Sequence, residues 1–361
     1  MSKIKVIVVD DSALMRRIVS DMINSQPDME VIEKARDGKE LINKLLTYKP
    51  DVITLDVEMP NLNGVETLKE LKKLNISVSV VMVSSLTEKG AKVTFECLEN
   101  GAFDFVQKPS GSISLDIGKV KDEIIKKIRL AAINNNSRVT SYSANNKVLS
   151  SVRKNIEIEK KVYKKNNIMK EVSGIEAVVI GASTGGPKAL YELITKLPGN
   201  LDVPIFIVQH MPVGFTEAFA KRLDKYSNLK VVEAYDGCKI EKNTVYIAKG
   251  GQHMQIKNRS TIELNEEKTV WGVRPAVDNL FVSAANVYKD KLLSVVLTGM
   301  GKDGAKGSEE IKNKGGYTIS ESEETCTIYG MPKSAFLTGK IDEVLPLYEI
   351  GNRITELLKA M

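Results

Sequence analysis

Cysteine is nearly absent from this 361-residue chain, which holds only Cys97, Cys238 and Cys326. Odd in number and scattered, they argue against a disulfide framework and a zinc site, and for a reducing cytoplasmic compartment. Histidine is scarcer still, with His210 and His253 alone. Any chemistry that needs an imidazole must use one of these two. No apolar run approaches the roughly 20 residues that span a bilayer. The opening Met1-Ser2-Lys3-Ile4-Lys5 leads straight into a strand-like run without the layout of a signal peptide. The excess of positive charge is mild, +6, and much of it lies in one Asn-, Ser- and Lys-rich segment, residues 131–172, with Lys160, Lys161, Lys164 and Lys165 close together. Aromatic residues do not interleave with these lysines, so no nucleic-acid platform is expected. The segment reads as a flexible linker.

What is present is the composition of globular protein, 42% hydrophobic and 27% charged, in a chain long enough for two domains. Residues 1–130 alternate strands and amphipathic helices. Lys5–Val9 ends at Asp10-Asp11, Val52–Leu55 at Asp56, Val80–Val83 at Ser84-Ser85, and Phe103–Val106 leads to Lys108. That alternation predicts a parallel sheet with right-handed crossovers. Ligands of such sheets bind beyond the C-terminal strand ends. Three carboxylates gathered there need a cation, and hard oxygen donors suit Mg²⁺. A lysine opposite them suits an anion such as a phosphoryl group.

Residues 173–361 repeat the alternation. The run Ala177–Ile180 leads into Gly181-Ala182-Ser183-Thr184-Gly185-Gly186-Pro187. An apolar strand, a G-x-S-x-G turn and a helix are the layout of a nucleophile elbow. The helix N-terminus behind the serine offers free N–H groups to an oxyanion. A serine nucleophile needs a base and an orienting carboxylate. His210 directly follows the apolar strand Pro204–Val208 and Gln209 and belongs at the same sheet edge, whereas His253 sits in a turn and reads as structural. Asp303, in the glycine-rich loop after Leu292–Leu297, is the favoured carboxylate. Asp278 competes, but it opens a helical run, where an aspartate serves the helix. The order Ser, His, Asp differs from that of the α/β-hydrolases, so the elbow does not imply their fold. A DNA-binding output would need a helix-turn-helix, and the second half shows strands with glycine-rich edges instead.

Residues 4–130 resemble a response-regulator receiver domain. The resemblance implies that Asp56 accepts a phosphoryl group and that Asp10, Asp11 and Asp56 hold Mg²⁺. It also implies a switch made of Ser84, Phe105 and Lys108. Residues 176–348 resemble the catalytic domain of the chemotaxis protein-glutamate methylesterases. The stretches that carry this are Gly181–Pro187, Gln209-His210-Met211-Pro212, Arg274–Asp278, Leu297–Gly304 and Tyr329-Gly330-Met331-Pro332. In that family Ser183 would be the nucleophile, His210 the base and Asp303 the orienting acid. The N–H groups of Thr184 and Met300 would form the oxyanion hole. No cofactor is implied for the esterase chemistry. The expected architecture is two doubly wound parallel-sheet α/β domains, a flavodoxin-like receiver (1–130) and a Rossmann-like methylesterase domain (173–361). The implied substrate is the cytoplasmic part of methyl-accepting chemotaxis receptors. The implied phosphodonor is a chemotaxis histidine kinase, and deamidation of receptor glutamines is an implied second activity. No membrane insertion is expected.

Overall fold

The computed structural model describes residues 3–85, 87–108, 116–143 and 174–359. Most of the lysine-rich segment, including Lys160 to Lys165, lies outside the described residues.

The first unit runs β1 (Ile4–Val9), α1 (Ala13–Asn24), β2 (Met29–Ala35), α2 (Gly38–Leu45), β3 (Val52–Asp56), α3 (Gly64–Lys73), β4 (Ser79–Ser84), α4 (Glu88–Glu99), β5 (Asp104–Gln107) and α5 (Asp116–Ser143). All its strand pairs are parallel, in the order β2-β1-β3-β4-β5. This is the flavodoxin-like order, whose direction reverses beside β1 and β3. Local chemistry starts the helices. The Ser12 hydroxyl accepts the Met15 N–H, and Asn63 with Glu66 forms a capping box at α3. Helix α5 continues past residue 130, into what composition alone assigns to the linker. Ala131 and Ala132 are buried with Ile124 and Ile128 in the receiver's own core. Small apolar side chains carry weak compositional signal but pack closely, so the helix runs on over them.

The second unit contains β6 (Ala177–Ala182), α6 (Gly186–Ile194), β7 (Ile205–Gln209), α7 (Phe215–Tyr226), β8 (Lys230–Glu233), β9 (Thr244–Ile247), β10 (His253–Asn258), β11 (Thr261–Asn265), α8 (Val277–Tyr288), β12 (Leu292–Val296), α9 (Ala305–Asn313), β13 (Tyr317–Glu321), α10 (Met331–Phe336), β14 (Glu343–Leu345) and α11 (Leu347–Lys359). Its seven-stranded sheet has the order β14-β13-β12-β6-β7-β9-β8, and every pair is parallel. β6, β7 and β12 are buried along their whole length, as expected of a parallel sheet covered on both faces. The chain winds from β6 outward to one side, then returns through β12 to the other. The reversal leaves a crevice at the C-terminal ends of β12, β6 and β7. An antiparallel hairpin, β10–β11, stands apart from this sheet. Both halves are therefore parallel-sheet α/β units, as expected.

The two units share one apolar cluster. The Phe95 ring on α4 meets Phe219 on α7 at 5.2 Å between centroids. Phe105 of β5 meets Phe215 at 4.7 Å. At the rim, Arg222 Nε donates to Glu99 Oε1 at 2.9 Å. A cleft of about 220 Å³ between the units is lined by Phe103 and Asn134 on one side and by Gly185, Lys188 and Thr327 on the other. None of the described helices is long and apolar enough to cross a membrane.

Candidate functional sites at two sheet edges

The receiver edge gathers its acids at the reversal point. Asp10 follows β1, Asp56 ends β3, and one carboxylate oxygen from each of Asp10, Asp11 and Asp56 lies within 4.8 Å of the others. Hard oxygen donors at this spacing fit Mg²⁺. Lys108 Nζ sits 2.9 Å from Asp10 Oδ2 and 2.7 Å from Asp56 Oδ2. Burial pushes the Asp56 carboxyl up to about 6, and the Asp10 charge adds to this against the pull of Lys108. Burial alone would lower the Lys108 ammonium, but its bonds to Asp10 and Asp56 outweigh that and raise it. Ser84 ends β4, and its hydroxyl accepts from Thr94 Oγ1 at 2.8 Å. The Phe105 ring lies in the interdomain core against Phe215.

The second edge brings Ser183, His210 and Asp303 to the ends of three adjacent strands. In the register of β6 and β7, Ala182 stands opposite Gln209, and the His210 N–H donates to Ala182 O at 3.0 Å. Ser183 and His210 are thus the next residues along neighbouring strands. The loop after β12 delivers Asp303, whose Oδ2 lies 2.8 Å from His210 Nε2. The Asp303 carboxylate also accepts N–H bonds from Val277 at 2.7 Å and Asp278 at 2.8 Å, at the start of α8, and from Gly304 at 3.0 Å. These bonds fix its direction. An acceptor held this way assigns the ring proton to Nε2 and leaves the Nδ1 lone pair free. Among the described hydrogen bonds none joins Ser183 Oγ to the ring; such bonds often tighten only when substrate is bound.

Asp278 makes no described hydrogen bond to His210, which pairs with Asp303 instead. Asp278 accepts from Trp271 Nε1 at 2.9 Å, Gly307 N at 2.8 Å and Gly304 N at 3.0 Å, and thereby braces the Asp303 loop. Burial raises its pKa against those bonds. His253 is fully buried. Its Nδ1 accepts the Ala276 N–H at 3.2 Å and its Nε2 pairs with Lys268 O at 3.1 Å. Both ring nitrogens are engaged, and burial lowers its pKa, so this ring stays neutral and structural.

The turn that carries Ser183 depends on glycine. Gly185, at φ 79°, starts α6 in the left-handed region, and Gly304 at φ 89° starts α9 in the same way. Neither helix has a side-chain cap. Two residues that the motif reading left without roles hold the site together. Gln209 Nε2 donates to Ser183 O at 3.0 Å, and the Thr298 carbonyl accepts the Ser183 N–H at 3.0 Å. Gln209 lies in a motif, but an amide's target is set by tertiary contact and leaves no trace in spacing. Thr298 reads only as the end of an apolar strand.

A receiver joined to a second parallel-sheet unit defines a response regulator with an output domain of its own. A family model described as response regulator receiver domain matches residues 6–116, and one described as CheB methylesterase matches residues 178–354. The chain is 51% identical over 361 residues to the protein-glutamate methylesterase/protein-glutamine glutaminase of Clostridium acetobutylicum, covering 100% of this chain and 99% of that one. It is 46% identical over 358 residues to the protein of the same name from Thermotoga maritima, covering 98% of each. The crystal structure of the Thermotoga maritima CheB methylesterase catalytic domain aligns with a TM-score of 0.50 at 47% identity, covering 51% of this chain and 99% of that chain. The chain belongs to the protein-glutamate methylesterase/protein-glutamine glutaminase family, and it is an enzyme with a CheB-type hydrolase domain behind a receiver.

Proposed function

We propose that this enzyme removes γ-methyl esters from glutamates on the cytoplasmic part of methyl-accepting chemotaxis receptors, with Ser183, His210 and Asp303 as its triad. The observation that carries the reading is the 2.8 Å bond of His210 Nε2 to Asp303, one strand away from Ser183. The free Nδ1 lone pair takes the Ser183 proton as Oγ attacks the ester carbonyl. The oxyanion is met by the N–H groups of Thr184 and Met300, each worth about 3 kcal/mol in the transition state. The C–O bond breaks, the histidinium returns its proton, and methanol leaves. Water, deprotonated by the same ring, then releases the glutamate carboxylate and the serine. With a glutamine side chain the same steps expel ammonia and leave glutamate. Ser183→Ala should lower kcat by more than about 10⁴-fold with an unchanged melting temperature. Methanol release from a methylated receptor fragment measures this, and an unchanged rate would end the assignment.

The receiver supplies control. Asp56 would take a phosphoryl group from a chemotaxis histidine kinase by in-line attack on phosphorus. Asp10, Asp11 and Asp56 would hold Mg²⁺, which supplies charge neutralisation at the phosphoryl oxygens when bound. Lys108 would pair with the phosphoryl group, and the Ser84 hydroxyl would turn toward it. Phe105 is the path from there to the output domain, because its ring packs on Phe215. Before phosphorylation the receiver covers the crevice beside Gly185 and Thr327. The reading places the protein in the cytoplasm.

A further inference from the structure

Gln209 is the last residue of β7 and is 2% exposed. Its Nε2 donates to Ser183 O at 3.0 Å and to His210 O at 2.9 Å. One amide group thus binds the backbone of the residue read as nucleophile and that of the residue read as base. Its Oε1 is buried without a partner. A flipped amide would set that oxygen against two carbonyl oxygens, so the orientation is fixed by chemistry. The cramped fit is deliberate on the other side as well: a Cβ on Gly186 would fall 1.9 Å from Oε1.

The Ser183 carbonyl and the Thr184 N–H belong to one planar trans peptide. Whatever holds the oxygen therefore aims the N–H the opposite way. Gly186 N–H shares that oxygen at 2.8 Å. Thr298 clamps the peptides on either side, accepting the Ser183 N–H at 3.0 Å and donating from Oγ1 to Thr184 O at 3.0 Å. We propose that Gln209 is a positioning residue, which aims the Thr184 N–H at the developing oxyanion and locks the serine turn to the histidine turn. The inference rests on the proposed roles of Ser183 and Thr184. The orphaned Oε1 is destabilising and offsets part of what the two donated bonds contribute to stability.

The test uses the full chain, activated with acetyl phosphate and Mg²⁺, on a methylated receptor fragment. Gln209→Met keeps the volume while removing both donors and the orphaned acceptor. It should lose about ten- to a hundredfold in kcat with KM unchanged, since small misplacement of a transition-state donor costs that much. Its melting temperature should change little, because the lost donor bonds and the relieved orphan acceptor offset each other. Gln209→Glu, which turns the donor into an acceptor, should lose at least as much kcat and carries the comparison if the first variant fails to fold. A fluorophosphonate should label Ser183 more slowly in both. An unchanged kcat, or a loss that only follows a lower melting temperature, overturns the role of Gln209. Failure of the wild-type Ser183 to label overturns the nucleophile assignment instead.

Discussion

Asp56 is buried beside Asp10 and pushed up to about 6, above the ordinary value of 3.8. Below pH 4 the carboxyl is protonated whether folded or unfolded, and this group's contribution is fully present. As pH rises toward 6 the unfolded chain releases a proton that the folded chain retains, so stability falls and then levels off. Asp56→Asn escapes this loss. Its Lys108 neighbour keeps Asp10 as a partner at 2.9 Å. In metal-free buffer the variant should exceed the wild type in stability by on the order of 2 kcal/mol at pH 7.5, with little difference at pH 4. Urea titrations at the two pH values check this, and a gap that widens toward acid would reverse the sign. At this scale the sequence was most legible where a strand end sets a side chain's place. Ser183, His210 and Asp303 each follow an apolar run, and the sheet brings them together. Gln209 and Thr298 were not legible, because a buried amide and a strand-end hydroxyl gain meaning only from the carbonyls they meet.

Among the elements of the second unit, β6, β7 and β12 stand out as apolar runs. β14, with three half-buried residues, and the half-exposed β8 carried too little pattern to be read. The strand order could not be read at all, since nothing local says that β12 returns beside β6. The same limit hid the contact of α4 with α7. Phe95, Phe215 and Phe219 lie on faces that read equally well as each unit's own core. The rim pair of that contact is open to a charge test. Arg222→Glu faces Glu99 with a second carboxylate and should raise methanol release by the unphosphorylated enzyme severalfold, as about 1 kcal/mol of contact becomes repulsion. Glu99→Arg combined with it should restore the low basal rate. Basal activity unmoved by either variant would mean that this face does not restrain the enzyme.

For the molecule as a whole, two parallel-sheet domains were readable from the alternation of strands and helices, while their mutual packing was not. The apolar cluster that runs from the receiver through Phe95 and Phe105 into Phe215 and Phe219 couples the two domains through buried aromatic surface. Neither can lose its fold without stripping the other of buried aromatic surface. Calorimetry of the unphosphorylated chain should therefore show a single heat-absorption peak whose calorimetric and van't Hoff enthalpies agree. Acetyl phosphate with Mg²⁺, or Arg222→Glu, should split it into two. Two peaks before any phosphorylation would mean that the domains melt alone. With a single peak before phosphorylation, the proposed release of the receiver is readable as heat, in a loss of cooperativity between the two halves.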